Sequence, residues 1–376
     1  MNSTPDPHEK KVKSMSHSRF RRGAVRALAA TAALFTLASG VAGCAGSSDT
    51  ATTGDGKTVL RYQGWAGDVG FHELAEDLGY YDKIKLEWVG DTTSGPQDIQ
   101  SAATGDIEFG SAFNGAVVKL NAAGAPITSV LSSYGADAGE YTGYFVLDGS
   151  PIRSARDLIG KKVGMNTLGA HHEFLVREWL ATQGLTQDEI KQVELTVVPP
   201  VNNETALREG QIDVAAINGI FRETAQERGG IRPLFTDRDL FGAFSYGTYV
   251  VRDDFLAKNK DAVADFVQGT ARAIRWTQVT PRDEVVARLK SIIDRRGRNE
   301  SDEAIDYWRS SGIPIAGAVI QEKELQTWID WLVRNGELDE GKLTATDLYT
   351  NEYNPYANGT FQPESGPDGE VLEGQK

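Results

Sequence analysis

Cysteine and histidine are scarce in this chain of 376 residues, which contains one cysteine and five histidines. A single cysteine excludes a disulfide framework, a cysteine-based zinc site and a cysteine-ligated iron–sulfur cluster. Five histidines leave little room for a histidine-rich metal centre. The sequence therefore indicates no metal ion and no cofactor.

Basic residues are outnumbered, since 39 Lys and Arg face 53 Asp and Glu, for a formal net charge of −14. Nucleic-acid binding is disfavoured because it would need basic surface to displace counterions from phosphates. Hydrophobic residues make up 40% and charged residues 24% of the chain, which excludes a disordered or collagen-like protein. The length predicts two domains, because one core rarely grows beyond roughly 250–300 residues.

The uncharged apolar segment near the N-terminus, residues 27–43, is shorter than the roughly 20 residues that a membrane-spanning helix needs. It follows a basic region and ends in small residues, which is the pattern of a secretory signal peptide. Residues 1–43 are therefore predicted to be a signal peptide, with either Met1 or Met15 as the start.

The single cysteine ends that segment, in Val41-Ala42-Gly43-Cys44. This tetrapeptide resembles the lipobox of bacterial lipoproteins, and the resemblance implies that Cys44 is lipidated and begins the mature chain. Residues 44–56 would then form a flexible tether to the outer face of the cytoplasmic membrane, in the cell envelope or periplasm. The alternative is a chance cysteine beside an ordinary cleavage site. Export disfavours any function that needs ATP, NAD or a reduced thiol.

Strand and helix patterns alternate along the mature chain and predict a first α/β lobe, with strands at 58–63, 85–89, 107–110 and 127–131 and helices at 71–78, 94–104 and 115–123. The alternation begins again, with strands at 162–165, 195–198 and 214–217 and helices at 172–183, 204–209 and 219–228. This order implies an α/β fold in which each lobe is a mainly parallel sheet flanked by helices. The stretch 105–115 is matched by 210–219, and each copy ends in Asn-Gly, which favours two similar lobes over chance similarity.

A strand at 248–252 and helices at 261–278, 282–294, 302–309 and 321–335 follow the second lobe. We expect the chain to return to the first lobe, with crossovers near 141–148 and 244–252. The predicted boundaries are 57–146 and 249–356 for lobe 1, 147–248 for lobe 2 and 357–376 for a loose C-terminal tail.

The chain contains a series of short motifs, which are, in order, Gln63-Gly64-Trp65, 78–81, Ser94-Gly95-Pro96, 105–110, 123–126, 150–154 and 157–163. Over residues 57–356 the series resembles the nitrate/sulfonate/taurine class of ABC-transporter solute-binding proteins. Their superfamily also contains thiamine-pyrimidine-precursor binders and a pyrimidine synthase. The resemblance implies a two-lobed type II periplasmic-binding-protein fold that closes on its ligand about two hinge crossovers. It also implies a monomer that delivers its ligand to an ABC permease and, through it, to a cytoplasmic ATPase.

Ligands of open α/β sheets bind outside the carboxyl ends of the strands, and this rule selects the candidate site residues. They are Gln63, Gly64, Trp65, Ser94, Gly95, Phe113, Asn114 and Tyr134, followed by Asn166, Thr167, Leu168, His171, Asn218 and Tyr246. Trp65 is expected to stack on the ligand or cover its apolar part, unless it is an ordinary core or surface tryptophan. Ser94-Gly95 opens a helix whose N–H groups suit an anion, although plain N-capping explains it equally well.

The other candidates have structural alternatives too. Asn114 and Asn218 are either ligand-binding amides or turn residues, because each precedes glycine. The family presents hydroxyl and N–H groups at a loop that matches 166–171, and the neighbouring His172 is expected to be solvated. Tyr134 and Tyr246 either line the cleft or pack at the crossovers.

The candidate functions differ in ligand charge. Arg222 is the only arginine near these loops, so a monoanion or a neutral molecule is favoured over phosphate. The leading interpretation is a binding protein for a small organic sulfonate, taurine or a nitrate-like oxyanion. The alternatives are a binder of a neutral aromatic such as a thiamine pyrimidine precursor and a surface sensor without a permease. An enzyme is disfavoured, because the chain lacks the synthase's cysteine cluster and a G-x-S-x-G motif.

Overall fold

A computed structural model describes residues 51–92 and 94–372. The predicted signal peptide and Cys44 lie outside these residues. Within them, no helix combines the length and the apolar character needed to cross a bilayer.

Ten strands build the sheets: β1 (Thr58–Gly64), β2 (Ile84–Asp91), β3 (Phe109–Phe113), β4 (Ile127–Ala136), β5 (Gly143–Leu147), β6 (Lys162–Met165), β7 (Glu194–Val197), β8 (Val214–Ile217), β9 (Ile231–Thr236) and β10 (Phe244–Arg252). β1 pairs with β2, β3-β10-β4 forms a second sheet, and β7-β6-β8-β5-β9 forms a third. A backbone hydrogen bond of 3.1 Å from Glu108 N–H to the Arg61 carbonyl links the first two. We call the elements around β2-β1-β3-β10-β4 lobe 1 and those around β7-β6-β8-β5-β9 lobe 2.

The two lobes have the same strand order, so β1 corresponds to β6, β2 to β7, β3 to β8, β10 to β5 and β4 to β9. β5 and β10 run antiparallel to their neighbours, while the other strands of each lobe share one direction. The chain passes between lobes at 137–142 and 237–243, just before these two strands. The matching stretches 105–115 and 210–219 contain β3 and β8, which occupy equivalent positions in the two sheets. The inference of two similar lobes is therefore confirmed.

Helices cover both faces of each sheet: α1 (Phe71–Asp77), α2 (Gly95–Thr104), α3 (Asn114–Ala122), α4 (His171–Thr182), α5 (Gln187–Ile190), α6 (Pro200–Arg208), α7 (Gly219–Arg228), α8 (Asp237–Phe241), α9 (Asp253–Lys258), α10 (Lys260–Val279), α11 (Arg282–Arg296) and α12 (Glu322–Arg334). Lobe 1 has one core around Phe109 and Phe266 and another around Phe113 and Trp328. Lobe 2 has two smaller cores, one of them around Tyr144. The α/β fold with sheets between helices is confirmed.

Four local predictions need correction. The helix expected at 302–309 is a short 3-10 helix, Glu303–Tyr307, and β3 begins at Phe109 rather than 107. The side-chain N-capping offered as an alternative for Ser94 is absent, because its hydroxyl makes no capping hydrogen bond. Part of the tail expected to be loose is held, since Arg275 on α10 donates to the carbonyls of Glu364 and Ser365 at 2.8 and 2.7 Å.

Candidate ligand-binding site

The strand order places the crossovers at one side of each sheet. β4 and β10 in lobe 1 and β5 and β9 in lobe 2 lead into or out of the crossovers, whereas β1, β2, β6 and β7 lie at the far side. The carboxyl ends of these strands therefore divide into a hinge end near the crossovers and a mouth away from them. This division organises the site.

Four predicted residues meet at the hinge end, and we call them the hinge cluster: Phe113, Tyr134, His171 and Tyr246. The His171 ring stacks on Tyr246 with centroids 3.7 Å apart, and its centroid is 5.3 Å from that of Phe113. The Tyr134 ring meets Tyr246 edge-on at 5.3 Å. Lobe 1 supplies three members and lobe 2 supplies His171, so the cluster joins the lobes.

His171 is the first residue of α4 and is buried. Its Nε2 atom lies 3.7 Å from Asp237, which is itself fully buried and accepts the Thr142 N–H at 2.9 Å. Burial lowers the pKa of His171 even though the Asp237 charge opposes this, so the ring is neutral at pH 7. The prediction that His172 is solvated is wrong, because it is buried as well.

The N-terminus of α2 lies against β3, as expected for Ser94-Gly95. A Cβ atom at Gly95 would come within 3.2 Å of Ala112, so only glycine allows the helix to start this close to the strand. Ser94 is the N-cap residue in extended conformation, and its hydroxyl is not used for capping. The first-turn N–H groups of α2 thus lie at the carboxyl side of the lobe 1 sheet, where an anion would be stabilised.

Three polar residues near this helix, Asp98, Ser111 and Ser133, were missed by the sequence interpretation. Asp98, in the first turns of α2, accepts the Ser111 N–H at 2.7 Å, and its Oδ1 atom is buried without a partner. The Ser111 hydroxyl lies 2.7 Å from that of Ser133. Burial raises the pKa of Asp98 to about 7, while the Ser111 hydrogen bond opposes the shift. Only its closeness to Ser94-Gly95 could have indicated Asp98.

The two asparagines at the ends of the matching strands have different environments. Asn114 is fully buried, and its Nδ2 atom donates to the Glu324 carbonyl at 3.0 Å. This amide therefore ties α3 to α12 inside lobe 1. Asn218 is exposed at the N-terminus of α7, where Gly219 donates its N–H to Glu140 at 3.2 Å. Burial raises the pKa of Glu140 to about 7.

The remaining candidates lie on two loops outside the hinge cluster. Gln63, Gly64 and Trp65 end β1 and begin the following loop; Gln63 is half-buried with an unpartnered Oε1, and Trp65 is 43% exposed. Asn166, Thr167 and Leu168 follow β6, the strand equivalent to β1, and Leu168 is 50% exposed. These two loops occupy matching places in the two lobes.

The prediction about the arginine nearest the site loops needs correction. Arg222 is buried, donates to the carbonyls of Gly139 and Tyr141 at 2.7 and 2.6 Å, and pairs with Glu223, so its role is structural. Arg298 lies next to the β1 loop instead: a Cβ atom at Gly64 would come within 3.0 Å of its Nη1. Nothing close to Arg298 in the sequence indicated this position, because the residue follows α11 and is far from the β1 loop along the chain.

Exposed apolar side chains concentrate at the mouth, at the carboxyl ends of β1, β2, β6 and β7 or just beyond them. We call them the mouth residues: Trp65, Trp88 and Val89 in lobe 1 and Leu168, Val197 and Val201 in lobe 2. The Arg298 guanidinium lies 4.5 Å from the Trp88 ring centroid and pairs with Glu73 at 2.8 Å, which holds the indole in place. Both lobes thus present apolar surface at matching positions.

One curated relative and several solved structures resemble this chain. The relative, a protein of Escherichia coli (strain K12) named for aliphatic sulfonate binding, is 29% identical over 198 residues, which is 53% of this chain. The matched part spans only 57% of that relative's length.

The solved structures match most of the chain at lower identity. The periplasmic aliphatic sulphonate binding protein SsuA from Escherichia coli gives a TM-score of 0.61 at 22% identity, over 77% of this chain and 91% of its own. The periplasmic nitrate-binding protein NrtA from Synechocystis PCC 6803 gives 0.60 at 15%, over 83% and 92%. The desulfurization enzyme DSZB gives 0.52 at 18%, over 80% and 99%. At these identities the likeness establishes the periplasmic-binding-protein fold.

Family membership rests on a separate match. The family model described as NMT1/THI5 like matches residues 70–284, which is more than half of the chain. The matched span runs from α1 to the start of α11 and includes both crossovers. The chain therefore belongs to the NMT1/THI5-like family.

Proposed function

We propose that this protein is the extracytoplasmic solute-binding component of an ABC importer and that it binds a small organic oxyanion, such as a sulfonate, between its lobes. The observation that carries the proposal is the hinge cluster, in which His171 at the start of α4 meets Tyr246 and Phe113 of lobe 1. A ligand beside this cluster would touch both lobes, and contact with both is what favours the closed state. The names of the sulfonate- and nitrate-binding relatives support the ligand class.

Binding is tested by thermal unfolding in the presence of alkanesulfonates, taurine, nitrate and pyrimidine precursors. A ligand at 100 times its Kd should stabilise the protein by about 2.7 kcal/mol. A raised Tm with sulfonates supports the proposal. A raised Tm with pyrimidine precursors alone would indicate that the ligand is a neutral aromatic molecule and not an oxyanion. No shift with any solute in a folded sample would contradict solute binding and favour the sensor alternative.

Two substitutions separate an oxyanion from a stacked aromatic ligand. Ser94→Ala should weaken oxyanion binding by about 1 kcal/mol or more if the hydroxyl donates to the charge. Trp65→Ala should dominate for a stacked ring. Calorimetry with the best solute from the screen decides between them. If neither substitution weakens binding, the ligand binds elsewhere.

Delivery to a permease is the second part of the proposal. Cells that express the protein with its neighbouring permease and ATPase genes should take up the identified solute, and deletion of this chain should abolish the uptake at low solute concentration. Uptake that is unchanged by the deletion would leave the protein a sensor. An enzyme is the second candidate, favoured only by the likeness to DSZB, and conversion of the bound solute would reveal it.

Membrane attachment depends on Cys44 in the lipobox-like sequence. We expect Cys44→Ala to abolish labelling by a fatty-acid analogue and to release the protein from the membrane fraction. Cys44→Ser, which is nearly isosteric, is the matched control for disturbed export and should behave in the same way. Continued labelling of either variant would contradict the anchor.

A further inference from the structure

A buried carboxylate oxygen without a partner lies where β1 and β3 separate. At the start of this strand pair, Glu108 donates its N–H to the Arg61 carbonyl of β1. Farther along, Ser111 of β3 donates instead to Asp98 Oδ2 at 2.7 Å, and Asp98 Oδ1 is left with no hydrogen-bond partner among the described residues. In space β1 lies between β2 and β3, so the chain leaves β1 for β2 on one side and then crosses to β3 on the other side. Open α/β sheets bind their ligands at such a switch point.

Two glycines hold Asp98 in this position. A Cβ atom at Gly110 would come within 2.7 Å of the Asp98 carbonyl oxygen, and one at Gly95 would meet Ala112 at 3.2 Å. α2 therefore lies so close to β3 that Asp98 is only 4% exposed. A carboxylate buried to this degree is costly unless a donor or a cation reaches it.

Among the residues that the structure describes, no cation pairs with Asp98. Tyr134 from β4 and Tyr249 from β10 are ionisable groups near Asp98. Burial raises the pKa of both, together with the charge of Asp98 at Tyr134 and mainly the charges of Glu73 and Asp68 at Tyr249. No ion pair of the described chain includes Asp98, and burial raises its pKa to about 7. Arg222, at the crossover, is fully occupied by two carbonyls and Glu223.

We propose that the ligand itself supplies the missing donor: an ammonium or other N–H group that bonds to Asp98 Oδ1, beside an oxyanion at the N-terminus of α2. This inference rests on the function proposed above and narrows its ligand class to organic oxyanions that carry an amino group. Asp98 is then the residue that selects such molecules over plain alkanesulfonates and nitrate.

Matched ligands and matched variants test the proposal. Taurine, isethionate and ethanesulfonate differ only in whether the second carbon bears an ammonium, a hydroxyl or a hydrogen. Calorimetry compares the wild type with Asp98→Asn, which keeps an oxygen for the Ser111 N–H. Glu324→Gln is the control, since Glu324 is equally buried with its pKa also raised to about 7, but both its oxygens accept hydrogen bonds within lobe 1.

The expected result is that the wild type binds taurine at least tenfold more tightly than ethanesulfonate, and that Asp98→Asn removes this preference while Glu324→Gln keeps it. Taurine binding should also tighten as the pH rises through 7, where Asp98 ionises, whereas ethanesulfonate binding should weaken. Equal or tighter binding of ethanesulfonate by the wild type would overturn the inference and leave the proposed function intact. Failure of all three sulfonates to bind a folded protein would overturn both.

Discussion

At the hinge end the side chains are aromatic or polar and buried, whereas at the mouth they are apolar and exposed. Phe113 and Tyr246 are 3% and 5% exposed, while Trp65 and Leu168 are 43% and 50% exposed. Large apolar groups are more often buried than exposed, so we expect the exposed apolar groups at matching positions of both lobes to form a surface that is covered in another state. A bound ligand or the closure of the lobes would cover it.

The two regions also differ in how they are held. At the hinge end, Phe174 of lobe 2 packs on Trp331 of lobe 1 at 4.0 Å, and Glu178 pairs with Arg334 at 3.0 Å. At the mouth, Trp88 is fixed only from its own lobe, by Arg298. We therefore expect substitutions at the hinge end to change the free energy of unfolding, and substitutions at the mouth to change ligand affinity alone. Three predictions test this contrast.

The largest effect is expected for Phe113→Ala. The Phe113 ring lies 4.6 Å from Trp328, 5.0 Å from Phe174 and 5.3 Å from His171, so its removal leaves a cavity that the two lobes share. We expect the free energy of unfolding to fall by about 3–5 kcal/mol. Urea unfolding measures this change, and Phe113→Leu, which keeps most of the volume, is the control. A loss below about 1 kcal/mol for alanine would show that the hinge end is not a packed core.

The next effect is a pH dependence from Asp98 on α2, whose neighbour Tyr134 belongs to the hinge cluster. Because burial raises the pKa of Asp98 to about 7, the folded protein keeps a proton between about pH 4 and pH 7 that the unfolded chain has lost. The free energy of unfolding should therefore fall as the pH rises through this window, by up to about 1.4 kcal/mol per pH unit from this group. Asp98→Asn should remove that part of the slope.

Thermal unfolding at several pH values provides the measurement. Trp65→Ala is the control, because it removes no titrating group and should leave the slope as it is in the wild type. If the stability of Asp98→Asn ran parallel to that of the wild type from pH 4 to pH 7, the carboxylate would not be buried as described.

The smallest effect on stability is expected for Trp65→Ala at the mouth. An exposed side chain away from structural features contributes within about 0.5 kcal/mol to the free energy of unfolding. Ligand affinity should nevertheless fall roughly three- to tenfold if the indole covers the apolar part of the ligand, as we propose. Unfolding and calorimetry on one sample check both statements. A large loss of stability, or an unchanged affinity for the solute found in the screen, would abolish the contrast between mouth and hinge end.

The order of elements was largely predictable from the sequence. Strands and helices followed their periodicities, and the stretches 105–115 and 210–219 marked β3 and β8 as equivalent. The carboxyl-end rule selected Phe113 and His171, and closeness to a crossover selected Tyr246; their role in ligand binding stays a prediction. The order of elements could be predicted because periodicity and chain order are local properties.

What individual side chains do at the site was decided by the tertiary structure. The Nδ2 atom of Asn114 donates to the carbonyl of Glu324, 210 residues away, while its Oδ1 atom is buried without a partner. Arg298 reaches Tyr62 across 236 residues, and Arg222 is occupied by the carbonyls of a crossover. The sequence by itself thus determined the lobes and the edge of the sheets at which we propose that a ligand binds. Only the packed fold decided which polar groups there are already satisfied and which, like Asp98 Oδ1, still lack a partner, because hydrogen bonds and burial depend on residues that are distant along the chain.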